Sequence, residues 1–310
     1  MTVTIHPLVS PWGRFGLYSF FIDAPEPAIV DTGIAGSPVE GMAPALAKLG
    51  RRIEDVRWIL HTHGHIDHIG GTAALLELTG GRAEVAIHAA DADLLRSPQA
   101  IIDKNLLIGA RYAPHPDQEA EQARQVEAVI SGGVEPTLAL RGGEVLDLGG
   151  GVRVQVHHIP GHTPGSVAYE VVGQGDVFAG DAVMLNGAAS GIPGYDDPVD
   201  YRASLAYLRD EVRPQRLLLG HPYRWTDGVA PGVVVEGAEA ERALAVSIEV
   251  ADRVAAAWER HAGEGVRDTD SVYSPFEAVA ADLGYTADPS NEPWSFFTTL
   301  HGHLTRSNDG

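Results

Sequence analysis

The sequence predicts an α/β core followed by a helical C-terminal extension. Short runs rich in β-branched and aromatic residues dominate through about residue 234, and helical patterns dominate from about 235 onward. Histidine and aspartate also gather just past the ends of the strand-like runs, which marks that region as the functional one.

Residues 3–8, 16–22 and 28–31 read as strands. A helix is expected over 37–49, because Ser37 can cap it and Pro38 suits its first turn. Residues 56–61 form a short apolar strand that runs directly into the polar segment 62–68. A helix over 70–78 and a strand over 83–88 follow. Residues 89–131 read as helical and polar, broken at Pro114 and Pro116, and so long an insertion is expected to be a lid. Strands over 144–148, 152–159, 166–172 and 176–179 come next, then a helix over 201–211 and a strand over 216–219 that ends at Gly220-His221. Helices are expected over 238–261, 275–283 and 293–304. The organisation expected is a catalytic domain over 1–234, carrying the insertion 89–131, with an extension over 235–310 packed on it.

Composition narrows the function. A chain of 310 residues can bury a sizeable core. Its 22 basic and 42 acidic residues leave a net charge of −20, which repels phosphate backbones and anionic lipid. Neither nucleic acid nor a membrane is therefore expected as a partner. There is no cysteine, which excludes disulfides, thiolate nucleophiles and cysteine-held metals. Residues 1–21 lack a secretory pattern, and no stretch approaches the ~20 apolar residues of a membrane helix, so the cytoplasm is the expected location. The sequence leaves a homodimer open.

The strongest local signal is His61-Thr62-His63-Gly64-His65-Ile66-Asp67-His68. On an extended turn His63 and His65 alternate, so both imidazoles can face one point. Asp67 and His68 lie where the chain bends into a helix and can face a second point nearby. Imidazole and carboxylate are the donors that zinc, iron and manganese accept when thiolates are absent. A solvated surface histidine run is the plainer alternative, but this cluster is internal and directly follows a buried-type strand. Three further donors stand at strand ends beside glycine: His162, Asp181 and His221.

The ordered set His-x-His-x-Asp-His, then His162, Asp181 and His221, with Val30-Asp31-Thr32-Gly33 before it, resembles the metallo-β-lactamase superfamily over about 29–222. The resemblance implies an αββα sandwich with the site along one edge. It implies that His63, His65 and His162 hold a first divalent metal, that Asp67, His68 and His221 hold a second, and that Asp181 bridges the two. Zinc is the metal expected first, with iron or manganese as alternatives. Asp31 would orient the metal-binding loop. A metal-bridging hydroxide would then attack a small-molecule acyl substrate, with Asp67 as the catalytic carboxylate assisting proton transfer. The presence of Asp181 and of helices after the last ligand is similar to the glyoxalase II, lactonase and thioesterase branch, so a thioester, ester or lactone is the expected substrate. The alternatives are a mononuclear iron persulfide dioxygenase and a regulatory protein with a vestigial site.

The remaining candidates are read as structural first. Ser166 is expected to start a strand, His61, His88, His157 and His158 to pack in or beside strands, and His6 and His261 to be peripheral. His115, His301 and His303 are candidates for substrate contact, as are Arg111, Arg202 and Arg224. Tyr195, Tyr201 and Tyr223 are expected to pack, with an oxyanion donor as the functional alternative.

Overall fold

The computed structural model describes residues 2–13, 15–112, 116–187, 191–262, 269–289 and 295–308. The first sheet contains β1 (Thr4–Trp12), β2 (Phe15–Asp23), β3 (Ala28–Val30), β4 (Trp58–Leu60), β5 (Glu84–His88) and β6 (Leu138–Leu140), in that spatial order. The second contains β7 (Val145–Asp147), β8 (Arg153–His158), β9 (Val167–Val171), β10 (Asp176–Gly180), β11 (Arg216–Leu219) and β12 (Val234–Glu236), again in sequence order across the sheet. β3 through β6 are parallel neighbours, as are β10 and β11, and the other pairings are antiparallel.

The two-residue period of a strand decides which side chains fill which layer. In β3 and β4, Ala28, Val30 and Leu60 point between the sheets, where they meet Tyr169, Phe178 and Leu218 of the second sheet. Ile29 and Ile59 point the other way, onto Met42, Leu46 and Leu75. Phe20 and Phe178 meet edge-on across the sandwich with centroids 5.5 Å apart. Each such burial contributes about 1.5–3 kcal/mol.

The helices form the outer layers. α1 (Ala43–Lys48), α2 (Ile66–Ile69), α3 (Thr72–Leu78), α4 (Ala92–Arg96), α5 (Pro98–Tyr112) and α6 (Pro116–Glu127) follow the first strands, and apolar residues of α1 to α5 join the cluster on the first sheet. α7 (Pro198–Tyr207) and the first half of α8 (Ala238–His261) cover the second sheet through Tyr201, Leu205, Ala240, Leu244 and Ile248. The architecture is the expected αββα sandwich. The second half of α8, α9 (Glu277–Leu283) and α10 (Ser295–Asn308) build a separate aromatic cluster that also takes in Ile108 of α5. The insertion and the C-terminal helices are thereby one wall. Among the described residues no helix is long and apolar enough to cross a membrane.

Several local expectations change. β6 and β12 are three-residue strands held by their neighbours, too short to carry a readable alternation. The boundary expected at 234/235 falls inside β12, which pairs with β11. Ser37 does not cap its helix: it has helical dihedrals, and its hydroxyl accepts from the Ile34 amide instead. α7 starts three residues earlier than expected, because the Asp197 side chain accepts from the Val199 and Asp200 amides with Pro198 in the first turn.

His303 ties α10 into this packing. The Tyr195 hydroxyl donates to its Nε2 at 3.0 Å. Burial, opposed weakly by Asp197, holds its pKa down at about 4, against an ordinary 6.5. The unfolded chain therefore takes up this proton first as pH falls, so the stabilisation is complete above about 6.5 and is lost towards 4. Urea titrations should show the unfolding free energy falling over that window, and falling less steeply in His303→Gln; equal slopes would remove His303 from the account.

Candidate metal centre

The site lies past the carboxyl ends of parallel strands in both sheets. The chain leaves β3 at Asp31, β4 at His61, β10 at Asp181 and β11 at Gly220, and the loop from β8 to β9 carries His162. Backbone just beyond a fixed strand end can present polar groups without disturbing the ladder.

Asp31 has φ of 60°, in the left-handed region that aspartate tolerates better than most residues. Its Oδ1 accepts from the Thr62 amide at 2.8 Å, and its Oδ2 accepts from the Thr62 hydroxyl at 2.8 Å and from Nδ1–H of His68 at 2.9 Å. With the Thr62 proton committed to Asp31, the 3.0 Å contact between Thr62 and Nδ1 of His63 is donated by the ring. Nε2 of His63 keeps its lone pair, and that atom is buried with no hydrogen-bond partner.

The chain stays extended through His65 (φ −77°, ψ 152°) and then enters α2. His63 and His65 therefore turn to one side, while Asp67 and His68 come round in the first helical turn. Nδ1–H of His162 donates to the Gly194 carbonyl at 2.7 Å, which leaves its Nε2 facing Nδ1 of His65 at 2.9 Å. Oδ2 of Asp181 lies 3.5 Å from Nε2 of His68, 3.4 Å from that of His221 and 3.8 Å from that of His162. Its Oδ1 is buried with no hydrogen-bond partner. Oδ2 of Asp67 lies 3.1 Å from Nε2 of His221, which is 3.2 Å from Nε2 of His68. A Cβ at Gly220 would come within 2.2 Å of Asp181 Oδ1 and 2.9 Å of the His68 ring, so only glycine lets β11 pass this close.

The seven residues converge. Their donor atoms form the triads His63–His65–His162, His63–His68–Asp181 and Asp67–His68–His221, within 4.8 Å of one another in each. His63, His68, His162 and Asp181 are buried, while His65, Asp67 and His221 are half-buried and face the open side.

The electrostatics sort the donors. Burial and the imidazoles of His68, His162 and His65 hold His63 well below the ordinary histidine pKa, and burial, His162 and Lys104 do the same to His65. Burial also lowers His162, against Asp181. Burial works against charge on His68 and His221 too, but Asp181 and Asp67 outweigh it, lifting His68 well above the ordinary value and His221 to about 10. Burial would raise Asp67 and Asp181; His68 and His221 overcome it and keep both carboxylates ionised. Imidazole nitrogens packed 2.9 Å apart, orphaned buried nitrogen and oxygen atoms, and ionised carboxylates are the arrangement a cation among them would satisfy. The donor set fits divalent zinc, iron or manganese.

Two supporting residues had no sequence signal. Asp91, buried just after β5, accepts from the Gly64 amide at 2.8 Å, the Thr163 hydroxyl at 2.6 Å and the Gly165 amide at 3.0 Å, so it staples the His63–His65 loop to the His162 loop. Lys104 of α5 pairs with Asp196 at 2.9 Å, near enough to act on His65. The other candidates have local partners. Ser166 accepts from the Thr163 amide, His61 packs under the cluster against Thr72, and His88 stacks on His158. His157 joins Tyr207 to Glu170, His6 stacks on Phe21, and His261 lies 3.3 Å from Asp282. Arg202 pairs with Asp252, and Arg224 donates to the Gly228 carbonyl, whereas Arg111 lies over Tyr112, whose hydroxyl contacts Nδ1 of His301 at 2.7 Å. Tyr195 and Tyr201 stack in the core; Tyr223 is the one that lies against Asp181. His115 lies outside the described residues.

Comparison with known proteins follows this geometry. Residues 13–221 match the family described as the metallo-beta-lactamase superfamily. The chain is 33% identical over 165 residues to a hydroxyacylglutathione hydrolase of Anaeromyxobacter dehalogenans, covering 53% of this chain and 43% of that protein. It is 32% identical over 165 residues to an acyl-coenzyme A thioesterase of Bos taurus, covering 52% and 54%. The chain thus spans about half the length of these relatives. Among solved structures, a metallo-beta-lactamase family protein from Thermus thermophilus superposes with a TM-score of 0.70 at 22% identity, covering 98% of this chain and 94% of that one, which speaks to the fold alone.

Replacing one of the two accepting oxygens of Asp31 by an amide NH2, which cannot accept, tests the geometry. Asp31→Asn should weaken zinc binding about 10–100-fold in competition with a chromophoric chelator. Unchanged affinity would show that Asp31 does not orient the loop.

Proposed function

The chain belongs to the metallo-beta-lactamase superfamily, and from that premise we propose that it is a metal-dependent hydrolase of small acyl thioesters, with esters and lactones open to the same chemistry. The observation that carries this reading is the position of Asp181, whose Oδ2 stands within 3.8 Å of imidazoles from both outer triads. In this reading His63, His65 and His162 would hold one divalent ion and Asp67, His68 and His221 the other, with Asp181 available to both. Zinc is the metal we favour, and two such ions would supply a water acidic enough to give hydroxide near neutral pH and an electrophile for the substrate carbonyl.

The chain's own groups do the rest. Asp67 is ionised, held to His221 and turned to the open side, so it can take a hydrogen bond from the attacking water and relay the proton to the leaving group. Ser166 is committed to the Thr163 turn and there is no cysteine, so attack by water needs no covalent acyl intermediate. Two relatives named as hydrolases of thioesters, hydroxyacylglutathione hydrolase and acyl-coenzyme A thioesterase, support thioesters as the first class to try. A persulfide dioxygenase would use one metal and leave the Asp67–His68–His221 triad without a task. A cytoplasmic enzyme acting on small molecules remains the reading proposed.

Acid release followed with a pH indicator tests the proposal on acyl-thioesters, acyl-homoserine lactones and simple esters. We expect release from thioesters, a fall of about 10²-fold or more in Asp67→Ala, and loss on chelation that zinc restores. No release from any class by metal-loaded protein would sink the proposal.

A further inference from the structure

Each buried histidine of the centre is oriented through its other ring nitrogen: His63 by Thr62, His68 by Asp31, and His162 by the Gly194 carbonyl. The first two anchors sit within the loops of the first sheet. Gly194 does not: it lies in the irregular segment between β10 and α7, without ladder bonds of its own. Something else must hold its carbonyl in place.

α10 does so. The Thr299 hydroxyl is fully buried, donates to the Pro193 carbonyl and accepts from the Tyr195 amide at 3.2 Å. One side chain therefore grips the backbone on both sides of Gly194. One turn further along α10, His303 accepts from the Tyr195 hydroxyl. Gly302, between them, lies so close to the Asp196 carbonyl that a Cβ there would come within 2.4 Å of its oxygen. On the far side, the amides of Asp196 and Asp197 donate to the Gly161 carbonyl at 2.8 and 3.0 Å, beside His162 itself. Gly161 has φ of 127°, and a Cβ there would come within 2.2 Å of the Tyr201 backbone, so its loop is pressed against α7. The segment around Gly194 is a splint between the C-terminal helix and a metal-site loop.

We propose that Thr299 is a positioning residue for the metal centre: acting through the Gly194 carbonyl, it fixes the tautomer and orientation of His162 and couples docking of α10 to occupancy of the His63–His65–His162 triad. The proposal rests on the metal reading above. The coupling is reciprocal, because a ligand that favours the docked arrangement is itself favoured by docking. The aromatic cluster under α10 supplies the rigidity for it, since Phe296, Phe297 and Leu300 are all buried on the same helix.

Thr299→Val keeps the shape of the side chain and removes the hydroxyl, leaving the Pro193 carbonyl and the Tyr195 amide buried without this partner; Thr299→Ser keeps the hydroxyl. Zinc titrations on the full chain would measure affinity, and long-range proton–nitrogen correlation spectra would report the His162 tautomer. We expect about tenfold weaker binding at one of two zinc sites in the valine variant, loss of the protected Nδ1 proton of His162, and recovery of both in the serine variant. Hydrogen exchange on the unmodified protein needs no variant: zinc loading should slow exchange of α10 amides. Zinc binding with α10 exchange unchanged would overturn the coupling, and a folded valine variant with native affinity and tautomer would overturn the positioning role of Thr299; neither result touches the metal reading. Failure of the unmodified protein to bind zinc, iron or manganese would overturn the metal reading and this proposal with it.

Discussion

Asp31 buries a carboxylate just past the end of β3, and three donors converge on that one group. A buried carboxylate is tolerable only when its lone pairs are filled, so the Thr62 amide, the Thr62 hydroxyl and the His68 ring are held to it firmly. Everything downstream inherits that order. The tautomer of His63 follows from the direction of the Thr62 hydroxyl, and the reach of His68 follows from the nitrogen it gives up. Asp91 repeats the device on the other flank of the same loop and extends it to the loop of His162. The ligand segment is thus clamped between two carboxylates that take no part in the triads themselves.

The charge pattern of the centre is a balance of opposed terms. Desolvation disfavours every ion in it, the carboxylates favour protonated imidazoles, and the crowded imidazoles disfavour one another. Such a set stays strained until a positive ion replaces the missing protons. The chain's net charge of −20 works in the same direction at longer range, raising the local concentration of cations around the molecule. The three donors on the open side, His65, Asp67 and His221, are where a substrate would meet this field.

How much of this was legible depends on whether the signal is local. His63, His65, Asp67 and His68 fall within six consecutive positions, and the alternation of an extended turn into a helix fixes their directions. His162, Asp181 and His221 are legible because each follows a strand beside glycine. Asp91 is a lone acid after a strand, and its three partners are 27 to 74 residues away, so nothing near it in sequence marks it out. Thr299 is likewise an unremarkable helical threonine until the fold brings Gly194 to it. Ser37-Pro38 misled because the serine hydroxyl turned back to Ile34, and the Asp197-Pro198 start of α7, which follows ordinary capping chemistry, was passed over in favour of a start at 201. β6 and β12 owe their existence to neighbouring strands rather than to their own composition.

The sequence order of the splint has a consequence for biosynthesis. Every residue of the triads precedes α10, and His162 is oriented by a carbonyl whose own support, Thr299, is translated later than all of them. At roughly 5–20 residues per second, a growing chain would expose the histidine-rich loops for seconds before the helix that steadies one of them leaves the ribosome. During that interval the nascent centre would have its Asp31 and Asp91 clamps but not the support that α10 gives the loop of His162.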